Sequence, residues 1–162
     1  MKLFLLRHAK TEQKSPSGKD FDRKLKPKGL KQCELLGQYF SELSKEMVFT
    51  IHCSSSQRTR ETFELIKRDL SVNKINFYDE LYHASVIELK NFVEKLPVSS
   101  ANHLIIGHNF GISELASYYT GEIVELSTGA LAIIDFTVDE PSLLTKNSGS
   151  LELLFEPNNL IF

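Results

Sequence analysis

Two histidines close apolar segments of this chain, and an arginine stands beside one of them. His8 comes directly after Arg7 at the end of the first segment, and His108 follows a second segment later in the chain. A neutral imidazole is a nucleophile, and the forked guanidinium of arginine binds two phosphoryl oxygens at once. Arg58 follows a run of serines at the start of a predicted helix, where free backbone N–H groups bind anions. These residue types together indicate a phosphate pocket.

The pattern of apolar residues predicts the elements that must position these side chains. Short apolar runs predict buried strands at 3–6, 49–53, 75–78 and 104–107, and helical spacing predicts helices at 27–43, 58–70, 85–96 and 109–121, caps included. Two further strands, at 131–138 and 151–155, are joined by a Pro/Ser/Asn/Gly loop and predict a C-terminal hairpin.

Local signals set the expected ends and faces of the helices. Pro27 suits the first turn of a helix, whose buried stripe is expected to include Leu30. Ser85 and Glu88 have the spacing of a capping box, and Asn109 is a good N-cap for the last helix.

Strands that alternate with helices predict an α/β fold with a mostly parallel sheet and right-handed crossovers. The carboxyl ends of parallel strands meet at one edge, where open α/β sheets bind ligands. We therefore expect His8, Arg58 and His108 to converge there, although they are far apart in sequence.

Composition is that of an ordinary globular domain, and its net charge of −2 argues against a nucleic-acid partner. Positive charge is concentrated from Lys10 to Lys28, where seven Lys/Arg stand against three acidic residues. This segment is either a solvated loop or a collar that attracts an anionic substrate.

The apolar run near the N-terminus is shorter than the roughly 7–15 residues of a signal-peptide core, and no run approaches the ~20 residues of a membrane span. Two cysteines cannot form a disulfide framework in a domain of this length. The sequence therefore predicts a cytoplasmic protein without a membrane partner.

Other phosphate chemistries fit the sequence less well. Cys53 precedes the serine run, but a cysteine-dependent phosphatase would need an arginine at position 59, where Thr59 stands. Glycine-rich dinucleotide and P-loop motifs are missing, as is a His-x-x-x-His ligand pair, so we expect no cofactor and no metal. His52, His83 and His103 are expected to be structural or surface residues.

Three motifs resemble those of the histidine phosphatase superfamily: Arg7-His8-Ala9-Lys10, the serine run with Arg58 and Thr62, and Gly107-His108-Asn109. Arg-His-Ala-Lys and the stretch Asp20-Phe21-Asp22-Arg23-Lys24-Leu25 are similar to the SixA-like phosphohistidine phosphatases. The likeness runs from the first strand to about Gly121. It implies one domain over residues 1–162, folded as a three-layer sandwich of the phosphoglycerate mutase-like type with helices on both faces of the sheet.

The resemblance implies that His8 attacks phosphorus while its other ring nitrogen donates to a backbone carbonyl. Arg7 and Arg58 would hold the phosphoryl oxygens, and His108, protonated beside the phosphoryl dianion, would add a third positive group. Lys10 and Arg23 are further candidates for substrate binding. The implied partner is a phosphorylated protein carrying phosphohistidine, or a small phosphorylated metabolite.

The proton donor to the leaving group is less clear from the sequence. Glu80 is the best candidate for an acid, although its segment lacks the fuller pattern of the monoester phosphatases. Phosphohistidine needs little acid help, because its imidazole leaving group has a pKa near ~6.5. We therefore expect cleavage of phosphohistidine, with monoester hydrolysis as the alternative and phosphate recognition without turnover as a further one.

Overall fold

A computed structural model describes residues 1–160 of the chain. Its sheet contains six strands: β1 Lys2–Arg7, β2 Phe49–Ser54, β3 Val72–Tyr78, β4 Asn102–Gly107, β5 Leu131–Phe136 and β6 Gly149–Phe155. The α-helices in the described part are α1 Pro27–Leu43, α2 Gln57–Ile66, α3 Val86–Glu94 and α4 Gly111–Thr120. Short 3₁₀ turns lie at Asp20–Asp22, Lys67–Asp69, Asp79–Leu81, Pro141–Leu143 and Pro157–Leu160.

The sheet is parallel over its first four strands and antiparallel at its C-terminal side. Its order is β3-β2-β4-β1-β5-β6. β1 pairs in parallel with β4, with Arg7 opposite Gly107, and β5 runs antiparallel to both β1 and β6. The predicted α/β fold and C-terminal hairpin are confirmed. Since β1 and β4 are central and end in register, the residues that follow them emerge side by side.

Helices cover both faces of the sheet because the buried strands are apolar on both sides. On one face, Leu3 and Leu5 of β1 belong to a core cluster that includes Leu115 of α4. On the other face, Phe4 and Leu6 belong to a second cluster, with residues of α1 and α2. The predicted three-layer sandwich is therefore confirmed.

The ends and faces of the helices agree with the sequence signals in part. The Ser85–Glu88 capping box is present at the start of α3. Asn109, however, does not cap α4, whose N-cap is Phe110. The Asn109 side chain instead accepts from Ser113 Oγ at 2.7 Å and donates to Leu126 O at 3.0 Å, so it ties the helix to a loop. Leu30 was expected to be buried and is half exposed, so the buried stripe of α1 starts elsewhere.

The largest differences from the predicted element ends are in α2 and β3. α2 stops at Ile66 and continues as a 3₁₀ turn, and β3 begins at Val72 rather than at residue 75. The first residues of β3 are exposed, which hides them from a pattern based on buried apolar runs. No helix in residues 1–160 has both the length and the apolar character needed to cross a membrane.

Candidate active site

The carboxyl ends of β1, β2 and β4 surround a cavity of about 420 Å³. The structure brings Arg7, His8, Arg58 and His108 together in its lining. The ring centroids of His8 and His108 are 5.2 Å apart. The structure therefore shows the convergence of the three sequence motifs that the parallel order of the strands predicts.

His8 is held in one tautomer by the backbone. Its Nδ1 lies 2.8 Å from the carbonyl oxygen of Ala9, which can only accept, so Nδ1 carries the proton and Nε2 keeps its lone pair. The residue is 8% exposed. Burial, and to a smaller extent the nearby charges of Arg58 and Arg7, lowers the pKa of His8 to about 3. At neutral pH His8 is a neutral imidazole with a free Nε2 lone pair, as a nucleophile requires.

Arg7 and Arg58 each keep a buried N–H group without a partner. Arg7 donates from Nη1 to Leu126 O at 2.9 Å, while its Nε has no hydrogen-bond partner among the described residues. Arg58 has a side chain that is only 3% exposed, and its Nε is also unpartnered in that part of the chain. An unpaired buried donor costs about 1–3 kcal/mol, and more when the group is charged. An anion in the cavity would recover that cost.

His108 offers a third donor without being charged. Its Nε2 lies 2.8 Å from the Ser54 hydroxyl, and its Nδ1 is buried with no partner in residues 1–160. Burial, followed by the influence of His8 and Arg58, lowers the pKa of His108 to about 2. In the ligand-free protein His108 is therefore a neutral ring, and its protonation beside a bound phosphoryl dianion stays a prediction. When the Ser54 hydroxyl donates to Nε2, the neutral ring carries its proton on Nδ1 and can donate it to a ligand.

A carboxylate and a third histidine also line the cavity. Asp20 binds Arg58 through two atoms: Arg58 Nη1 donates to Asp20 O at 2.8 Å and Nη2 to Oδ2 at 3.0 Å. His83 Nε2 lies 3.0 Å from the same Oδ2, and the Tyr82 hydroxyl donates to it at 2.6 Å. Although partial burial raises the pKa of Asp20, hydrogen bonds from Tyr82, Arg23, His83 and Arg58 hold it well below its ordinary value. Asp20 is thus ionised.

Comparison with known families identifies the chain. The sequence model of the histidine phosphatase superfamily, branch 1, matches residues 3–89, which include the motifs around His8 and Arg58. The chain belongs to the histidine phosphatase superfamily. Membership implies a phosphatase, a hydrolase of phosphorylated compounds. A comparison with curated proteins finds no match.

Solved structures with the same fold include other histidine phosphatases. A protein provisionally named phosphohistidine phosphatase SixA from Nakamurella multipartitia superposes with a TM-score of 0.82 at 23% identity, over 96% of this chain and 95% of that one. The protein histidine phosphatase SixA complexed with tungstate gives 0.81 at 20% identity, over 99% and 100%. A mutant phosphoserine phosphatase from Entamoeba histolytica, in complex with phosphoserine, gives 0.63 at 12%, over 99% of each chain. At these identities the likeness establishes the fold, which is of the SixA and phosphoglycerate mutase-like type.

The other predicted site residues of this histidine phosphatase fall into two groups. Lys10 and Arg23 line the cavity with the four residues described above. Glu80 does not reach it and lines a separate hollow together with residues of α3, among them Glu88 and Phe92. It lies in the 3₁₀ turn that follows β3, on the side of the turn that faces α3. The structure therefore does not support Glu80 as the acid.

Four cavity or supporting residues were not recognised from the sequence: Ser54, Asp20, Tyr82 and His83. A weak signal exists for two of them, since Tyr82 and His83 come directly after the 3₁₀ turn that follows β3. His83 has a φ of +51°, a left-handed conformation that is uncommon for a residue other than glycine and often marks a functional site. His83, for which a structural or surface role was predicted, lies in the cavity lining with its side chain half exposed, and that role stays a prediction. His52 and His103 form a buried hydrogen-bonded pair outside the cavity. No group of three or more His, Cys, Asp or Glu side chains in residues 1–160 is arranged to hold a metal.

Proposed function

We propose that this histidine phosphatase forms a phosphohistidine on His8 and removes phosphate from phosphohistidine in proteins, without a metal. The observation that carries the proposal is a neutral, tautomer-fixed His8 in one cavity with three buried donors that have no partner within residues 1–160: Arg7 Nε, Arg58 Nε and His108 Nδ1. A nucleophile beside such donors suits a phosphoryl group that is both bound and attacked.

The reaction proceeds in two displacements. The Nε2 lone pair of His8 forms a bond to phosphorus while the bond to the leaving group breaks and its electron pair departs with that group. Arg7 and Arg58 hold the equatorial oxygens, and His108 donates from Nδ1 as negative charge spreads over them. Water then attacks phosphorus, the P–Nε2 bond breaks, and its electron pair returns to His8. The proton of the water passes to phosphate or solvent.

The choice of substrate depends on the leaving group. An alkyl phosphate releases an alkoxide of high pKa, which needs a general acid worth roughly 10²–10⁴-fold in rate. Asp20 is the carboxyl group among the described lining residues, and it is ionised, so it has no proton to give. Phosphohistidine releases imidazole, a far better leaving group. The protonation of the cavity therefore favours P–N over alkyl P–O cleavage.

A trapping experiment tests this function. The protein is mixed with a peptide carrying ³²P-phosphohistidine and quenched within milliseconds, and an acid-labile, base-stable label on the protein is measured. We expect label and turnover in the parent and neither in His8→Ala. His103→Gln is the matched control, because His103 is a buried histidine on the same sheet outside the cavity; it should keep the label.

Two results would contradict the proposal. Phosphate binding without any label or turnover would make the protein a phosphate-recognising module. Cleavage of alkyl phosphates as fast as of the phosphohistidine peptide would make it a monoester phosphatase of the same superfamily.

A further inference from the structure

Asp20 is an anion in a cavity otherwise lined by cations and neutral groups. Within residues 1–160 it is the acidic side chain of the lining, and the other charged lining residues are Arg7, Lys10, Arg23, Lys26 and Arg58. A carboxylate repels a phosphoryl dianion and competes with it for arginine. A pocket that served only to bind phosphate would be better without Asp20, so its presence requires another explanation.

The carboxylate is held firmly in an ionised state and still has room for a ligand. Its Oδ2 accepts from Arg58, Tyr82 and His83, and its Oδ1 accepts from Arg23 Nη1 at 2.8 Å. A carboxylate oxygen accepts about two hydrogen bonds, so Oδ1 retains an acceptor position among the described contacts. The side chain is 43% exposed. A hydrogen-bond donor on a substrate can therefore reach it.

An imidazole already binds Asp20 at this cavity. The ring of His83 is hydrogen-bonded to Oδ2, and its centroid lies 5.2 Å from that of His108. The contact shows that this carboxylate accepts an imidazole N–H at the cavity; because His83 occupies the Oδ2 side, a substrate ring would bind on the Oδ1 side. His83 is held there in a left-handed backbone conformation.

We propose that Asp20 accepts a hydrogen bond from the distal ring N–H of the substrate phosphohistidine and keeps that ring protonated until the P–N bond breaks. This inference rests on the proposed function and assigns Asp20 as the residue that selects a cationic leaving group. His8 Nε2 forms its bond to phosphorus, the substrate P–N bond breaks, and its electron pair goes to the substrate ring. The ring, a cation before the step, departs as neutral imidazole with its N–H still on Asp20. No proton from the protein is consumed.

The effect on pH dependence follows from the charges around Asp20. An opposite charge within about 4–6 Å raises the pKa of a cationic acid by about 1–3 units. Arg58, Arg23, His83 and Tyr82 contact Asp20, and the two arginines weaken its influence until the phosphoryl group binds them. We therefore expect Asp20→Asn to shift the alkaline limb of kcat/KM for phosphohistidine about one unit lower. At pH 8 the loss should be about tenfold greater than for a substrate that needs no proton.

The experiment compares two substrates in three proteins. The values of kcat/KM for a phosphohistidine peptide and for p-nitrophenyl phosphate, whose leaving group departs as a stable anion, are measured from pH 5 to 9. Asp20→Asn should lower the ratio of the two values about tenfold at pH 8. Asp22→Asn is the matched control: Asp22 binds Ser17 and lies outside the cavity lining, so its ratio should equal that of the parent.

The outcomes separate the possible roles of Asp20. An unchanged ratio would overturn the inference: equal losses on both substrates would show that Asp20 only positions Arg58, and parent activity on both would show that Asp20 has no role in turnover. If Asp20→Asn does not fold, Asp20→Glu keeps the charge at a displaced position and should give an intermediate ratio. A parent protein without phosphoenzyme or phosphohistidine hydrolysis would refute the proposed function itself, which is a different result from a parent that is active and a variant that keeps its selectivity.

Discussion

Replacement of Arg58 by alanine is expected to remove most of the turnover and little of the stability. In the transition state the guanidinium can place its unpartnered Nε and one Nη group on the phosphoryl oxygens. Each hydrogen bond between charged groups contributes about 1.5–3 kcal/mol, or about 3–6 kcal/mol for the pair. At about 1.4 kcal/mol per tenfold change, kcat/KM should fall by about 10²–10⁴-fold.

The stability of Arg58→Ala follows from the same contacts. The ion pair with Asp20, whose side chain is 43% exposed, is screened by solvent and is worth about 0–1 kcal/mol. Loss of the packed aliphatic stem adds to the cost, while removal of an unpaired buried Nε–H reduces it. We expect the free energy of unfolding to change by less than about 2 kcal/mol, or a few degrees in Tm for a domain of this size.

The assay measures kcat/KM for the phosphohistidine peptide and thermal unfolding by circular dichroism. Arg60→Ala is the matched control: Arg60 lies on the same helix and stacks on the Phe77 ring at 4.0 Å, outside the cavity lining. It should retain parent activity. Arg58→Lys keeps the charge without the fork and should fall between parent and alanine variant. Activity of Arg58→Ala within tenfold of the parent would remove Arg58 from the site and refute the reasoning.

Three further predictions concern other parts of the molecule. Ser54→Ala removes the hydroxyl that fixes His108 and should lower kcat about 5–30-fold, since one such hydrogen bond is worth about 1–2 kcal/mol; parent kcat would exclude this role. Glu80→Gln should leave kcat/KM at the parent value at every pH, because Glu80 lies outside the cavity. Loss of the acidic or alkaline limb of the pH profile would show that Glu80 takes part in the reaction. Burial, and then the neighbouring His103, lowers the pKa of His52 to about 4. The unfolded chain binds this proton below about pH 6.5 and the folded chain does not, so stability present above pH 6.5 is lost as pH falls towards 4, by at most about 3 kcal/mol. His52→Asn should flatten that slope in urea unfolding, and an unchanged slope would contradict the assignment.

Sequence reasoning located the residues that follow buried parallel strands. His8 and His108 follow β1 and β4, which are central, paired in parallel and contain the buried apolar runs 3–6 and 104–106. A continuous buried strand is visible as an apolar run, and the parallel order of strands fixes which ends meet. The position of the cavity could therefore be predicted before any coordinates.

Residues held by tertiary contacts could not be found in that way. Asp20 lies in a polar loop, and its partners Arg58, Tyr82 and His83 are distant in sequence, so no local pattern connects them. Asn109 shows the same limit. Its side chain is suited to cap a helix, but in the fold it bonds Leu126 instead, because a tertiary partner competes with the local one.

Histidine and arginine have different protonation states in this site and therefore different tasks. His8 must be neutral to attack phosphorus, and burial that lowers its pKa to about 3 keeps it so. The same burial makes His108 a poor source of positive charge, since its pKa falls to about 2. Before a phosphoryl group binds, the positive charge beside His8 therefore comes from arginine, which stays protonated in proteins even when buried. This is consistent with a cavity that is lined by three arginines, Arg7, Arg23 and Arg58, in addition to three histidines. It also implies that the acidic limit of activity is set by protonation of His8, and not by loss of the phosphate-binding charge.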